Sequence, residues 1–104
     1  GLANKKNIED TRESAGLKIV RGLLKKNIQV NFSDPLVKSE KIFWKHKILN
    51  MKSIKINYKN IKKYDCVILV TDHDKFNYNL IRKKSKILID TRNKLFRDKN
   101  FFQL

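Results

Sequence analysis

Cys66-Val67-Ile68-Leu69-Val70 is a continuous apolar run, and Thr71-Asp72-His73-Asp74 follows it with four polar residues. A short run that is apolar at every position predicts a strand covered on both faces, as in parallel sheets. The polar residues mark its C-terminal end. Lys86 to Ile89 predicts a second buried strand, ending in Asp90-Thr91-Arg92-Asn93. Between them, Tyr78 to Lys84 reads as a short helix with Leu80 and Ile81 facing in. A strand, a helix and a second strand imply parallel pairing through a right-handed crossover.

The same alternation extends upstream. Leu17, Val20, Leu23 and Leu24, flanked by Ile19, form a helical apolar stripe reaching about Lys26. Asp10 or Ser14 supplies its N-cap, and Glu13 stands at capping-box spacing from Asp10. Gly16 and Gly22 interrupt the stripe, which allows close packing on a sheet. Ile28, Val30 and Phe32 alternate with polar residues and predict a strand ended by Asp34-Pro35. Residues 36–52 show no clean period, so the expectation there is a loop with one short helix. Ser53 to Ile56 reads as an edge strand, and Asn57 as the cap of a helix over 58–64. Gly1-Leu2-Ala3 looks like the end of a strand whose start is missing. The tail from Phe96 to Leu104 is expected to pack on the body. The fold class is therefore α/β: a Rossmann-like three-layer domain, mainly parallel, with its first central strand truncated. Such a chain is expected to be marginally stable by itself.

Composition bounds the rest. The chain has 104 residues, enough for one small domain, and 40% are hydrophobic, as in globular chains. No apolar run approaches a membrane span, and Gly1-Leu2-Ala3-Asn4-Lys5-Lys6 is no signal peptide, so a cytoplasmic location is the expectation. Cys66 is the only cysteine, which excludes an internal disulfide; within its apolar run it reads as a small buried hydrophobe. The net charge of +15 points first to nucleic acid. Yet 20 of the 25 basic residues are Lys, and Asn and Ile are also abundant at 11 and 12. All three use A/T-rich codons, so base composition accounts for much of the charge, and nucleic acid is not the expected partner.

Ligands of open α/β sheets bind beyond the C-terminal ends of the strands. Lys5, Arg12, His73 and Arg92 all follow such ends or lie beside the entry of the first helix. Together they predict an anion site for a phosphate or pyrophosphate. No metal site is expected, because His46 is the only other His and no Cys/His ligand spacing occurs. No phosphate-binding loop or dinucleotide fingerprint is present.

These residues carry a resemblance. Residues 1–14, Gly-Leu-Ala-Asn-Lys-Lys-Asn-Ile-Glu-Asp-Thr-Arg-Glu-Ser, closely resemble the opening of the C-terminal domain of UDP-glucose/GDP-mannose dehydrogenases. Asp34-Pro35, Tyr64-Asp65, Thr71-Asp72-His73 and Asp90-Thr91-Arg92-Asn93 match that family in order and spacing. Residues 46–54 and Thr71-Asp72-His73 look most like bacterial members acting on UDP-glucose or UDP-N-acetylhexosamines. The resemblance implies an NAD-dependent enzyme that oxidises the sugar C6 alcohol to an acid through an aldehyde and a cysteine thioester. It implies that Lys5, Asn4 and Arg92 bind the UDP-sugar and that Arg12 reaches the NAD side of the cleft. It places the dinucleotide fingerprint and the catalytic cysteine in an N-terminal and a central domain outside residues 1–104, so no catalytic residue is expected here. Homo-oligomerisation of the whole enzyme is implied as well. Asn4 stands where the family has an aromatic, and Ala15-Gly16 where it has Pro-Ala. Two other readings of the residues remain: a basic nucleic-acid-binding module, and an inactive gene remnant.

Overall fold

A computed structural model of the chain describes residues 1–95 and the backbone of 101–103. The helix α1 spans Ala15–Lys25, and its N-cap is Ser14, whose side chain accepts from the Leu17 N–H. Asp10 is not the cap. Leu17 and Val20 face the core and Leu24 packs beside them, as the stripe predicts. Next come β1 (Ser39–Trp44), β2 (Lys47–Lys52) and α2 (Tyr58–Ile61). A reciprocal capping box between Asn57 and Asn60 starts α2. The strand β3 (Val67–Leu69), the helix α3 (Tyr78–Lys84) and the strand β4 (Leu88–Asp90) follow. Last is β5 (Phe101–Gln103).

The α/β expectation holds, with a small sheet. β3, β4 and β5 form a parallel sheet in that order, and β1 and β2 form a separate antiparallel pair. Residues 28–32 form no strand, and only Val30 and Phe32 turn inward while Ile28 is exposed; Phe32 O accepts from Ile54 N. Residues 53–56 likewise lack a ladder, as does the segment 1–3. Apolar alternation without a partner strand on either side leaves a chain extended at most, because a strand is defined by its ladder. Beyond β5, the tail from Phe96 lies outside the described residues.

Residues 36–52 are a hairpin and not a loop with a helix. The inward positions Glu40, Ile42 and Trp44 alternate with Lys41 and Phe43, and Leu49 and Met51 pack inward from β2. The reversal is Lys45-His46, both left-handed at φ 50° and 63°. Two such residues are the requirement of a type I′ turn, normally met by Asn-Gly. A turn built from Lys and His leaves no turn signal in the sequence. Cys66 also departs from expectation. It precedes the ladder of β3 by one residue and is exposed, while partial burial of its thiol raises the pKa. Of β3, Leu69 is buried and Val67 and Ile68 are half-buried, so cover on both faces is incomplete.

Two apolar clusters hold these pieces. Leu2, Ala3, Leu17, Val20, Phe32, Val37 and Ile42 form one, joining α1, the hairpin and the N-terminal segment. Ile61, Ile81 and Leu88 form the other, between α2, α3 and β4. The two helix glycines differ. A Cβ on Gly16 would lie 2.9 Å from Gly1 O and 3.1 Å from Leu2 Cα, whereas one on Gly22 meets open space. Gly16 thus brings α1 onto the first residues of the chain. Urea unfolding should show Gly16→Ala losing about 1–3 kcal/mol by overpacking and Gly22→Ala gaining about 1 kcal/mol by helix propensity. Equal effects would refute the close approach. The double substitution Lys45→Asn/His46→Gly should raise the same unfolding free energy by about 1 kcal/mol, by relieving left-handed strain.

Candidate functional site

The C-terminal end of β3 is bound to the N-terminal segment by buried polar groups. Asp34 is at the centre. Its Oδ1 accepts from Leu36 N at 2.8 Å and Val37 N at 3.0 Å, closing the turn over Pro35. Its Oδ2 accepts from Leu2 N at 2.8 Å, Ala3 N at 3.2 Å and His73 Nε2 at 2.9 Å. The Asp34 and His73 side chains are both 0% exposed. His73 Nδ1 accepts from Asn7 N at 2.8 Å, so the ring is the neutral Nε2–H tautomer. Thr71 Oγ1 donates to Ala3 O, and Tyr78 Oη donates to His73 O. The Asn7 amide and Asp74 bond each other reciprocally at 2.8 and 3.0 Å. Residues 4–7 therefore form a loop tied at both ends to the 71–74 segment.

The end of β4 uses the same device. Buried Asp90 accepts from Arg92 N at 2.9 Å and from Lys94 N and Leu95 N at 2.8 Å. Thr91 Oγ1 donates to Leu69 O at 2.7 Å, which joins this turn to β3. Arg92 Nε then lies 3.4 Å from Asp72 Oδ1.

The expected cations fall as follows. Lys5 is exposed on the tethered loop. Arg92 is half-exposed and paired with Asp72, beside His73. Asn4 spends its side chain on Arg12 O at 2.8 Å. The exposed Arg12 guanidinium forks onto Asp10 at 3.1 Å through Nε and Nη2, which also holds the Asp10 carboxyl below its usual range. A chain of contacts thus joins the segments bearing Lys5, Arg12 and Arg92. His73 is not part of the cationic edge: it is fully buried and neutral, with both nitrogens engaged. Two clefts, of about 570 and 260 Å³, are lined by other residues, and Lys5, Arg12 and Arg92 are each exposed. Among the described residues, no His/Cys/Asp/Glu group could hold a metal ion, and no helix is long and apolar enough to cross a membrane.

Sequence reasoning missed the anchoring role of Asp34 and the parts of Asp72, Asn7 and Asp90. A signal existed for two of them. Asp34 and Asp90 each follow an extended segment and precede a turn, where an Asp side chain collects backbone N–H groups.

The chain is a small α/β domain that exposes Lys5 and Arg92 on segments tied to the end of β3. Over residues 1–97 the chain matches the family model described as the UDP-glucose/GDP-mannose dehydrogenase family, UDP binding domain, and it belongs to that family. It is 33% identical over 101 residues to the UDP-N-acetyl-D-mannosamine dehydrogenase of Methanococcus vannielii, an alignment covering 89% of this chain. The chain spans 21% of the length of that curated relative. No solved structure matches it.

The Asp34 carboxyl gives the scaffold a pH dependence. Burial pushes its pKa up, but hydrogen bonds from Leu36, Leu2, His73 and Ala3 together outweigh burial and hold it below the usual value. A depressed carboxyl contributes stability that is complete above its unfolded pKa, about 3.9, and is lost as the pH falls through the folded value. Urea midpoints measured from pH 7 down to 3 should therefore stay level for this group and then drop in the acid range. Asp34→Asn should lack that acid limb and lose about 2–3 kcal/mol at neutral pH. An acid limb undiminished in the variant would sink the assignment.

Proposed function

We propose that residues 1–104 are the Rossmann-like UDP-sugar-binding domain of an NAD-dependent nucleotide-sugar 6-dehydrogenase. The dinucleotide-binding and central domains lie elsewhere in that polypeptide. The observation that carries this reading is the tethered loop. Lys5 rides on a segment bonded to the same strand end to which Arg92 is paired, and the chain belongs to a UDP-binding family. Lys5 and Arg92 bind the diphosphate: a mobile ammonium and a planar guanidinium suit two different phosphate oxygens. Asp72 holds the Arg92 fork until the ligand competes for it. Asn4 stands beside the sugar or uridine. The exposure of Lys5 and Arg92 suits a ligand closed over by a second domain.

The whole enzyme in this reading takes the sugar C6 alcohol to the acid, works in the cytoplasm and assembles from identical subunits. This chain supplies binding and orientation. NAD would take up hydride from the sugar carbon. Glycines occur only at 1, 16 and 22, without a phosphate-binding turn, so the residues present do not make a dinucleotide site. Arg12, exposed and already held by Asp10, fits a peripheral contact to the cofactor.

The net charge of +15 favours one competing reading, a surface for nucleic acid. The two separate by titration. UDP should bind saturably, and Lys5→Ala and Arg92→Ala should each weaken it about tenfold or more, the loss of a charge-assisted contact. Absence of UDP binding at millimolar concentration, with steeply salt-dependent binding of single-stranded DNA, would favour the competing reading.

A further inference from the structure

We propose that His73 is a positioning residue of the anion site, acting on the ligand through the loop that carries Lys5. This rests on the reading of Lys5 as a diphosphate ligand. The Lys5 ammonium hangs on a flexible four-carbon stem, so its average position depends on the backbone beneath it. Residues 4–7 are all exposed, so that backbone is held by bonds to other segments: Asn4 N donates to Asp10 O, and the Asn7 side chain exchanges two hydrogen bonds with Asp74. Its upstream end is held where Leu2 and Ala3 donate to Asp34. Its downstream end is held where Asn7, left-handed at φ 65°, donates to His73 Nδ1. The 2.9 Å bond from His73 Nε2 to Asp34 joins these two anchors.

The imidazole is specific to this task. One edge must donate to a carboxylate, and the adjacent edge must accept from a backbone N–H. A neutral ring does both in one rigid plane, and Asp34 selects the tautomer that leaves Nδ1 free to accept. The ring is fixed by full burial, by Phe76 at 5.8 Å between ring centroids, and by the Tyr78 hydroxyl on the His73 carbonyl. The ring is fully buried, so its influence on a ligand passes through the two anchors, directly at Asn7 and through Asp34 at Leu2 and Ala3.

Two substitutions split the two bonds. His73→Gln keeps a donor near the Nε2 position, facing Asp34, and removes the acceptor for Asn7. His73→Asn keeps an acceptor near the Nδ1 position and removes the donor. UDP is titrated into the full chain for the wild type, His73→Gln, His73→Asn, Lys5→Ala and the His73→Gln/Lys5→Ala double variant, with melting curves alongside. His73→Gln should weaken UDP about fivefold, with no further loss when added to Lys5→Ala, as expected for residues coupled through one backbone segment. His73→Asn, where folded, should restore part of that affinity. In the wild type, saturating UDP should slow hydrogen exchange at the Asn7 amide, because coupling between two sites is reciprocal. Wild-type affinity in His73→Gln, multiplicative losses in the double variant, or Asn7 exchange indifferent to UDP would each overturn the proposal. The exchange measurement decides even when both variants fail to fold. Lys5→Ala binding UDP as tightly as the wild type would instead refute the role of Lys5, and that arm is read without touching His73.

Discussion

A buried carboxylate and a buried imidazole, Asp34 and His73, hold the N-terminal segment against the end of β3. Removing both groups from water is costly, and the surroundings offset that cost with hydrogen bonds. Asp34 accepts five, four from backbone N–H groups and one from the ring. His73 uses both nitrogens. No buried side-chain N or O among the described residues lacks a partner. Such a network is stable only when complete, since one missing partner leaves a buried polar group unsatisfied at about 1–3 kcal/mol. The segment 1–3 can therefore stay buried without a ladder, its N–H groups being taken by a side chain.

This arrangement connects the fold to the exposed cations. At the end of β3, Leu69 O accepts from Thr91 N and Oγ1, Thr71 Oγ1 donates to Ala3 O of the N-terminal segment, and Asp90 accepts from the N–H groups of the turn after β4. Lys5 and Arg92 are exposed on the segments so tied. Carboxylates stand beside Arg92 and the neighbour of Lys5: Asp72 by Arg92, and Asp74 by Lys6 at 3.9 Å. The Asn7 amide and then the Lys6 charge hold the Asp74 carboxyl below its usual range. The Tyr78 hydroxyl is pushed upward by burial and by Asp72, Asp74 and Asp90, so it stays a donor to His73 O. Arg92, held by Asp72, is partly ordered, which would reduce the entropy lost on binding the diphosphate proposed above.

The large positive charge is a poor guide to function at this scale. Exposed lysines lie on other elements too, such as Lys41 and Lys52 on the outer side of the hairpin or Lys62 over the Tyr58 ring. Lys5 and Arg92 stand on backbone tethered by buried side chains, which a count of charges does not register.

Elements built from contacts near in sequence were legible in the residues alone. The stripe of α1 places Leu17 and Val20, Asn57 caps α2, the bounds of α3 follow from its flanks, and the apolar runs place β3 and β4. The exposure of Lys5 and Arg92 was legible too, because strand ends are where such a fold exposes its loops. Long-range pairing decided the rest. The hairpin depends on two left-handed residues, Lys45 and His46, whose identities carry no turn signal. Residues 28–32 have the alternation of a strand and lack its ladder. His73 reads as a member of the cationic edge and is instead a neutral buried link to Asp34, 39 residues away. A side chain's charge and role depend on which donors and acceptors surround it, and packing brings those together from distant parts of the chain.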